Sequence, residues 1–146
     1  MYVGIDVGKN GALAIIHSSD NSTEVYDFES KDDIIDFIKY NALNIKMLCM
    51  EKVHAMPNQG VTSMFSFGEN FGWWKGLLEA YSVPYDLVRP QEWMKGNVPA
   101  KPSKKDIYDV AKRLYPNAKL EGIKGGIKDG RSDALMIAHY CRKTYR

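Results

Sequence analysis

The sequence predicts an α/β domain: a mixed five-stranded sheet, three antiparallel strands followed by two parallel ones, with helices on its faces. Two observations point there. The opening stretch, 1–28, holds three short apolar or alternating runs separated only by polar turns, the way antiparallel strands follow one another. Two later apolar runs, 45–50 and 85–88, each come after a stretch of helical period, and a strand reached through a crossover helix lies parallel to its neighbour. At 146 residues, 45% of them hydrophobic, the chain has the size and apolar content of one domain with one core.

The elements follow in order. Tyr2, Val3, Ile5 and Val7 form the first strand, and Ala12 to Ile16 the second; Gly8-Lys9-Asn10-Gly11 between them has the composition of a hairpin turn. Thr23 to Phe28 alternates and reads as a third strand at an edge. Ser30 is an N-cap for a helix that carries Ile34, Phe37, Ile38 and Tyr40 on one face. Ile45 to Met50 is the fourth strand, parallel to the first, and ends in Glu51. From Thr62 to Tyr81 the apolar residues Met64, Phe67, Phe71, Trp74, Leu78 and Tyr81 recur at threes and fours, so this is a helix. Gly68, Gly72 and Gly76 form a stripe along it, and because glycine weakens a helix, such a stripe suggests close approach by another backbone.

Tyr85 to Val88 is the fifth strand, stopped by Arg89-Pro90, and Glu92 to Met94 is a short helical turn. Asn97 to Pro102 is a basic, proline-broken loop. Ser103 caps a further helix with Ile107, Val110, Ala111 and Leu114 inward, ended by Pro116. Glu121 to Lys128 is a glycine-rich loop. The last helix starts at Asp129 or Ser132, with Ala134, Ala138, Cys141 and Tyr145 as its packing stripe.

Charge is small in sum and uneven in place. The formal net charge is +2, yet residues 1–60 hold nine acidic residues against five lysines, and residues 89–128 hold ten Lys or Arg against four acids. A basic second half is the electrostatic footprint of a polyanion partner. Cys49 and Cys141 form no CxxC pair, which argues against a zinc site and against a secreted disulfide framework. No apolar run is long enough to span a bilayer and no signal peptide is evident, so the expected place is a reducing cytoplasm, with no membrane partner.

Asp6 is the residue that needs explaining. A carboxylate inside an apolar strand is costly unless a cation or a metal ion compensates it. Glu51 ends the strand that should lie beside it, and Asp129 and Asp133, four apart, share a face if the last helix begins early enough. Taken singly, Asp129 reads as an N-cap and Asp133 as a surface helix residue; the conjunction of the four carries the argument. Like charges gathered this closely are relieved by a divalent cation, and oxygen-only ligands favour Mg²⁺ or Mn²⁺ over zinc. Two such ions, roughly 3.5–4 Å apart, serve phosphodiester cleavage.

Five segments carry a resemblance to a known family: GIDVGKNGALAII, MEKVHAMPNQG, the glycine-bearing FSFGENFGWWKGLLEA, VRPQEWMK and KDGRSDALMIAHY, in that order and spacing. The chain resembles the RuvC-like Holliday junction resolvases, most closely their bacteriophage branch, from Met1 to about Tyr140. The resemblance implies an RNase H-like fold, a homodimer and Mg²⁺-dependent paired nicking of four-way DNA junctions, with two ions per active site. It places the family's four acids on Asp6, Glu51, Asp129 and Asp133, with Asp129 acting directly or through water. A phage-encoded protein of this kind works in the bacterial host cytoplasm. His54 stands three residues after the glutamate, where cellular members tend to carry an aromatic that contacts bases.

The DNA contacts expected are Lys9, Lys52, His54, Lys101, Lys104, Lys105, Lys124, Lys128 and Arg131, chiefly on phosphates. Phe65, Gly68, Phe71, Gly72, Trp74 and Gly76 are the expected dimer face. Two other readings compete. In an actin-like or sugar-kinase-type ATPase a phosphate hairpin also follows a strand-one aspartate, but those proteins need two lobes and a second glycine-rich hairpin. A catalytically inactive branched-DNA-binding protein would have no need of intact acids at all four positions.

Overall fold

The computed structural model describes residues 1–8, 10–28, 30–52 and 60–146. Its sheet grows from the opening hairpin. β1 (Tyr2–Asp6) pairs antiparallel with β2 (Ala12–Ile16), Tyr2 opposite Ile16 and Asp6 opposite Ala12, and β2 pairs antiparallel with β3 (Thr23–Asp27). α1 (Lys31–Asn41) begins at Ser30, whose hydroxyl accepts the Asp33 N–H at 3.1 Å. After a turn of 3₁₀ helix (Ala42–Asn44) comes β4 (Met47–Glu51), parallel to β1 with Met50 opposite Ile5. The long helix α2 (Val61–Ala80) leads to β5 (Tyr85–Val88), parallel to β4. The strand order is β3-β2-β1-β4-β5: three antiparallel strands and two parallel ones, as the sequence predicts.

Strand alternation splits the core into two layers. Val3, Ile5, Val7, Leu13, Ile15, Leu48 and Met50 face α1 and α2. Tyr2, Ala12, Ala14, Ile16, Cys49 and Val88 face the helices after β5: α3 (Pro90–Met94), α4 (Lys104–Leu114) and α5 (Asp129–Thr144). The same parity puts Asp6 and Glu51 on the α5 side. Small residues there let α5 lie directly on β1. A Cβ at Gly4 would stand 2.2 Å from both Ala134 O and Ala138 N, so only glycine permits this crossing.

Several inward positions differ from expectation. Tyr40 is 72% exposed and Leu114 42%; each sits in the last turn of its helix. Met64 and Tyr81, at the two ends of the α2 stripe, are also exposed, and the core takes only its middle through Trp74 and Leu78. β3 stops at Asp27; Phe28 leaves the ladder to pack on Trp74, with ring centroids 5.1 Å apart.

Candidate active site: carboxylates at the strand ends

β1 and β4 end side by side. Ile5 pairs with Met50, so the next residue of each strand, Asp6 and Glu51, closes the sheet at one edge and on one face. α5 brings Asp129 at its first position and Asp133 one turn on, and its first turn crosses the β1–β2 turn: a Cβ at Gly130 would stand 2.2 Å from Asn10 O. The hairpin and α5 frame a cleft of about 620 Å³ lined by Asp6, Gly8, Asn10, Lys104, Lys128 and Asp129, among others.

Each acid is held differently. Asp6 Oδ1 accepts the Gly8 N–H at 3.0 Å. Burial pushes its pKa up, against that hydrogen bond and the charge of Lys104. Glu51 Oε1 accepts the indole N–H of the buried Trp93 at 3.2 Å. Burial first, and then the charge of Asp6, raise Glu51 to about 6. Asp133 is 8% exposed; its Oδ2 accepts from the Lys104 ammonium at 2.7 Å, while its buried Oδ1 has no partner among the described residues. Burial raises its pKa too, opposed by Lys104 and assisted by Asp6 and Asp129. Asp129 is exposed at the mouth.

This set fits a divalent cation. Its donors are all carboxylate oxygens, one of them a buried oxygen lacking a partner, and its charges are disfavoured as they stand. Among the described residues no three such groups are gathered closely enough to hold one ion as they are; the Lys104 ammonium lies among them. Trp93 was not foreseen as part of the site, because nothing local in the sequence ties it to Glu51. Asp27 was missed in the same way: it also lines the cleft, fixed by Arg131 through Nε at 2.7 Å and a terminal nitrogen at 2.8 Å.

The expected DNA cations divide accordingly. Lys52, Lys101, Lys124 and Lys128 are exposed, and none of them makes an ion pair within 4 Å among the described residues. Lys104 holds Asp133, and Lys105 holds Asp109 at 2.6 Å. Arg131 binds Asp27 and the carbonyls of Lys119 and Glu121, so it braces α5 against β3 and the preceding loop. Lys9 and His54 lie outside the described residues. On α2, Phe65 is 74% exposed, and a side chain added at Gly68, Gly72 or Gly76 would point into open space among the described residues. Trp74, expected on that face, is 1% exposed: it lies on the opposite side of the helix, in the core, and half-buried Phe71 packs beside it.

The raised acids set a pH dependence. Glu51 keeps its proton to about pH 6 in the folded chain, against an ordinary 4.5. The native state therefore binds more protons than the unfolded one in that window, and stability falls as pH rises through it. Glu51 alone accounts for about 2 kcal/mol, with Asp6 and Asp133 acting in the same direction. Denaturant midpoints measured in chelator should fall more steeply between about pH 5 and pH 7 in the wild type than in Glu51→Gln, and Mg²⁺ or Mn²⁺ should restore the loss at the upper end.

No protein-family model and no curated protein matches the chain. Solved structures do. T. thermophilus RuvC in complex with a Holliday junction substrate superposes with a TM-score of 0.63 at 12% identity, over 97% of this chain and 94% of that one. The Thermus thermophilus RuvC structure gives 0.57 at 15%, over 98% and 96%. No helix among the described residues is long and apolar enough to cross a membrane. At such identities the likeness is one of fold, and the fold is RNase H-like, the mixed five-stranded sheet with flanking helices seen in RuvC.

Proposed function

We propose that the chain is a structure-selective DNA endonuclease of the RuvC-like kind, of its bacteriophage branch, resolving Holliday junctions and other branched DNA with paired nicks. The observation that carries this is that Asp6, Glu51 and Asp133, at the ends of β1 and β4 and on α5, lie close enough to raise one another's pKa, and that among the described residues one buried Asp133 oxygen has no partner. The RuvC structure with a Holliday junction substrate supports the substrate class. Asp6, Glu51, Asp129 and Asp133 would hold Mg²⁺ or Mn²⁺, two ions per site. Bound there, such ions supply Lewis-acid activation of water and neutralise charge on the phosphate.

The chain's own groups do the rest. Gly8 N–H fixes one Asp6 oxygen, and Trp93 fixes one Glu51 oxygen, so both carboxylates are oriented before any ligand arrives. Lys52, Lys101, Lys124 and Lys128 take backbone phosphates, a contact that reads shape and weakens with salt. The open face of α2, with Val61, Phe65, Gly68, Gly72 and Gly76 along one stripe, is the dimer surface. A two-fold dimer sets two such sites on opposed strands of one junction.

A panel of synthetic four-way, flap, fork and linear substrates, in Mg²⁺ and in chelator, tests the function. Metal-dependent nicking confined to the branched forms supports it; equal cutting of linear duplex, or none of any substrate, contradicts it. The dimer face has its own test. A Cβ added at Gly72 meets open space, and the longer side chain of Gly72→Gln extends outward from it, so this variant should fold normally yet weaken self-association by about tenfold or more in sedimentation. Unchanged association would remove that face from the interface.

A further inference from the structure

Lys104 is in an unusual position for a cation expected on DNA. It is the first residue of α4, whose start is fixed by a reciprocal cap: Ser103 Oγ accepts the Asp106 N–H, and Asp106 accepts from the Ser103 N–H. From that fixed backbone the side chain reaches to Asp133 Oδ2 at 2.7 Å. Its charge is felt by Asp6 and Glu51 as well, and it feels Asp129 in turn. Burial alone would lower its pKa, yet the bond to Asp133 and the surrounding carboxylates raise it, so the ammonium stays charged.

Resting on the nuclease reading above, we propose that the Lys104 ammonium is the resident counter-ion of the carboxylate site and competes with the divalent cation for it. Three features support this. The ammonium pairs with one oxygen of Asp133 while the other, buried, has no partner, which leaves the site half-satisfied by a monovalent charge. Lys104 lines the same cleft as Asp6 and Asp129, so its ammonium and an incoming ion would share one space. The exchange is also cheap in structure. The Lys104 side chain is 59% exposed against 12% for Asp133, so the lysine can swing to solvent while the acid stays in place. Metal entry then costs the loss of one charge-assisted bond, and the released ammonium stands at the mouth of the cleft, where the phosphate of a bound strand would meet it.

The test is direct binding of Mn²⁺, followed by electron paramagnetic resonance in the absence of DNA. Lys104→Met should bind Mn²⁺ about tenfold more tightly than the wild type, because the competing unit charge is gone. Lys104→Arg, which keeps a cation, should stay within about twofold of the wild type. Lys105→Met removes the same charge one residue away, from a side chain held by Asp109, and should also leave the affinity within about twofold. Circular dichroism of each variant checks the fold. Equal Mn²⁺ affinity in Lys104→Met and the wild type overturns this inference alone. If Lys105→Met tightens binding as much as Lys104→Met does, the effect is general charge and the inference is again overturned. No Mn²⁺ binding by any of the proteins overturns the reading of the site and this inference with it.

Discussion

Asp6→Asn should abolish strand cleavage while leaving junction binding intact. Asp6 is central to the site: it ends the middle strand of the sheet, lines the cleft, and raises the pKa of both Glu51 and Asp133 by its charge. Asparagine keeps the Oδ1 that accepts the Gly8 N–H, so the local geometry survives. What it loses is the negative charge that would hold a divalent ion, and the several kcal/mol of transition-state stabilisation such ions supply correspond to a loss of about a thousandfold or more in rate. A second readout separates this from damage to the fold. Burial makes the Asp6 carboxylate unfavourable, so the metal-free variant should be at least as stable as the wild type near neutral pH, and divalent ions should stabilise it less. Wild-type cleavage with unchanged binding would remove Asp6 from the site.

The second large effect lies one layer beneath the chemistry. Gly4→Ala puts a methyl 2.2 Å from Ala134 O and Ala138 N, and both are backbone atoms of α5 that no rotamer change can move. α5 must then lift from β1, and overpacking of this kind costs about 3 kcal/mol or more. Because Asp133 rides on that helix and faces Asp6 on the strand, the loss of stability should be accompanied by weaker metal binding. Gly72→Ala is the matched control: nothing lies within 4 Å, so the gain in helix propensity should raise monomer stability by up to about 1 kcal/mol. Urea denaturation of the two variants checks both signs.

The sequence made the fold legible because its local signals agree. The hairpin turn, the Ser30 and Ser103 caps, the apolar run ending at Glu51 and the helix starting at Asp129 each declare themselves within a few residues, and the structure has an element at each. Asp6 and Glu51 were legible for a related reason, since parallel pairing of two strands of known parity fixes where their last residues go. The polar bonds that hold the site were not. Lys104 meets Asp133 across 29 positions, Trp93 meets Glu51 across 42, and Arg131 meets Asp27 across 104. Such pairs are set by how helices settle on the sheet, and a lysine that faces solvent reads the same in sequence as one that faces an acid. For that reason the sequence groups Lys104, Lys105 and Arg131 with the exposed lysines as expected DNA contacts, with no sign of their acidic partners. Trp74 stood on the wrong face of α2 for a different reason: its aromatic neighbours mark both the core stripe and the glycine stripe, and only the packing against Phe28 separates them.

The most direct measurement is of the cleaved ends. The wild type is incubated with an end-labelled four-way junction in Mg²⁺, and the products are treated with DNA ligase. The expected result is symmetric nicks on opposed strands, absent in chelator and in Asp6→Asn, with 5′-phosphate and 3′-hydroxyl ends that ligase seals. Nicks that form without a divalent ion, or that persist in Asp6→Asn, would contradict the assignment of this carboxylate cluster as the seat of the reaction.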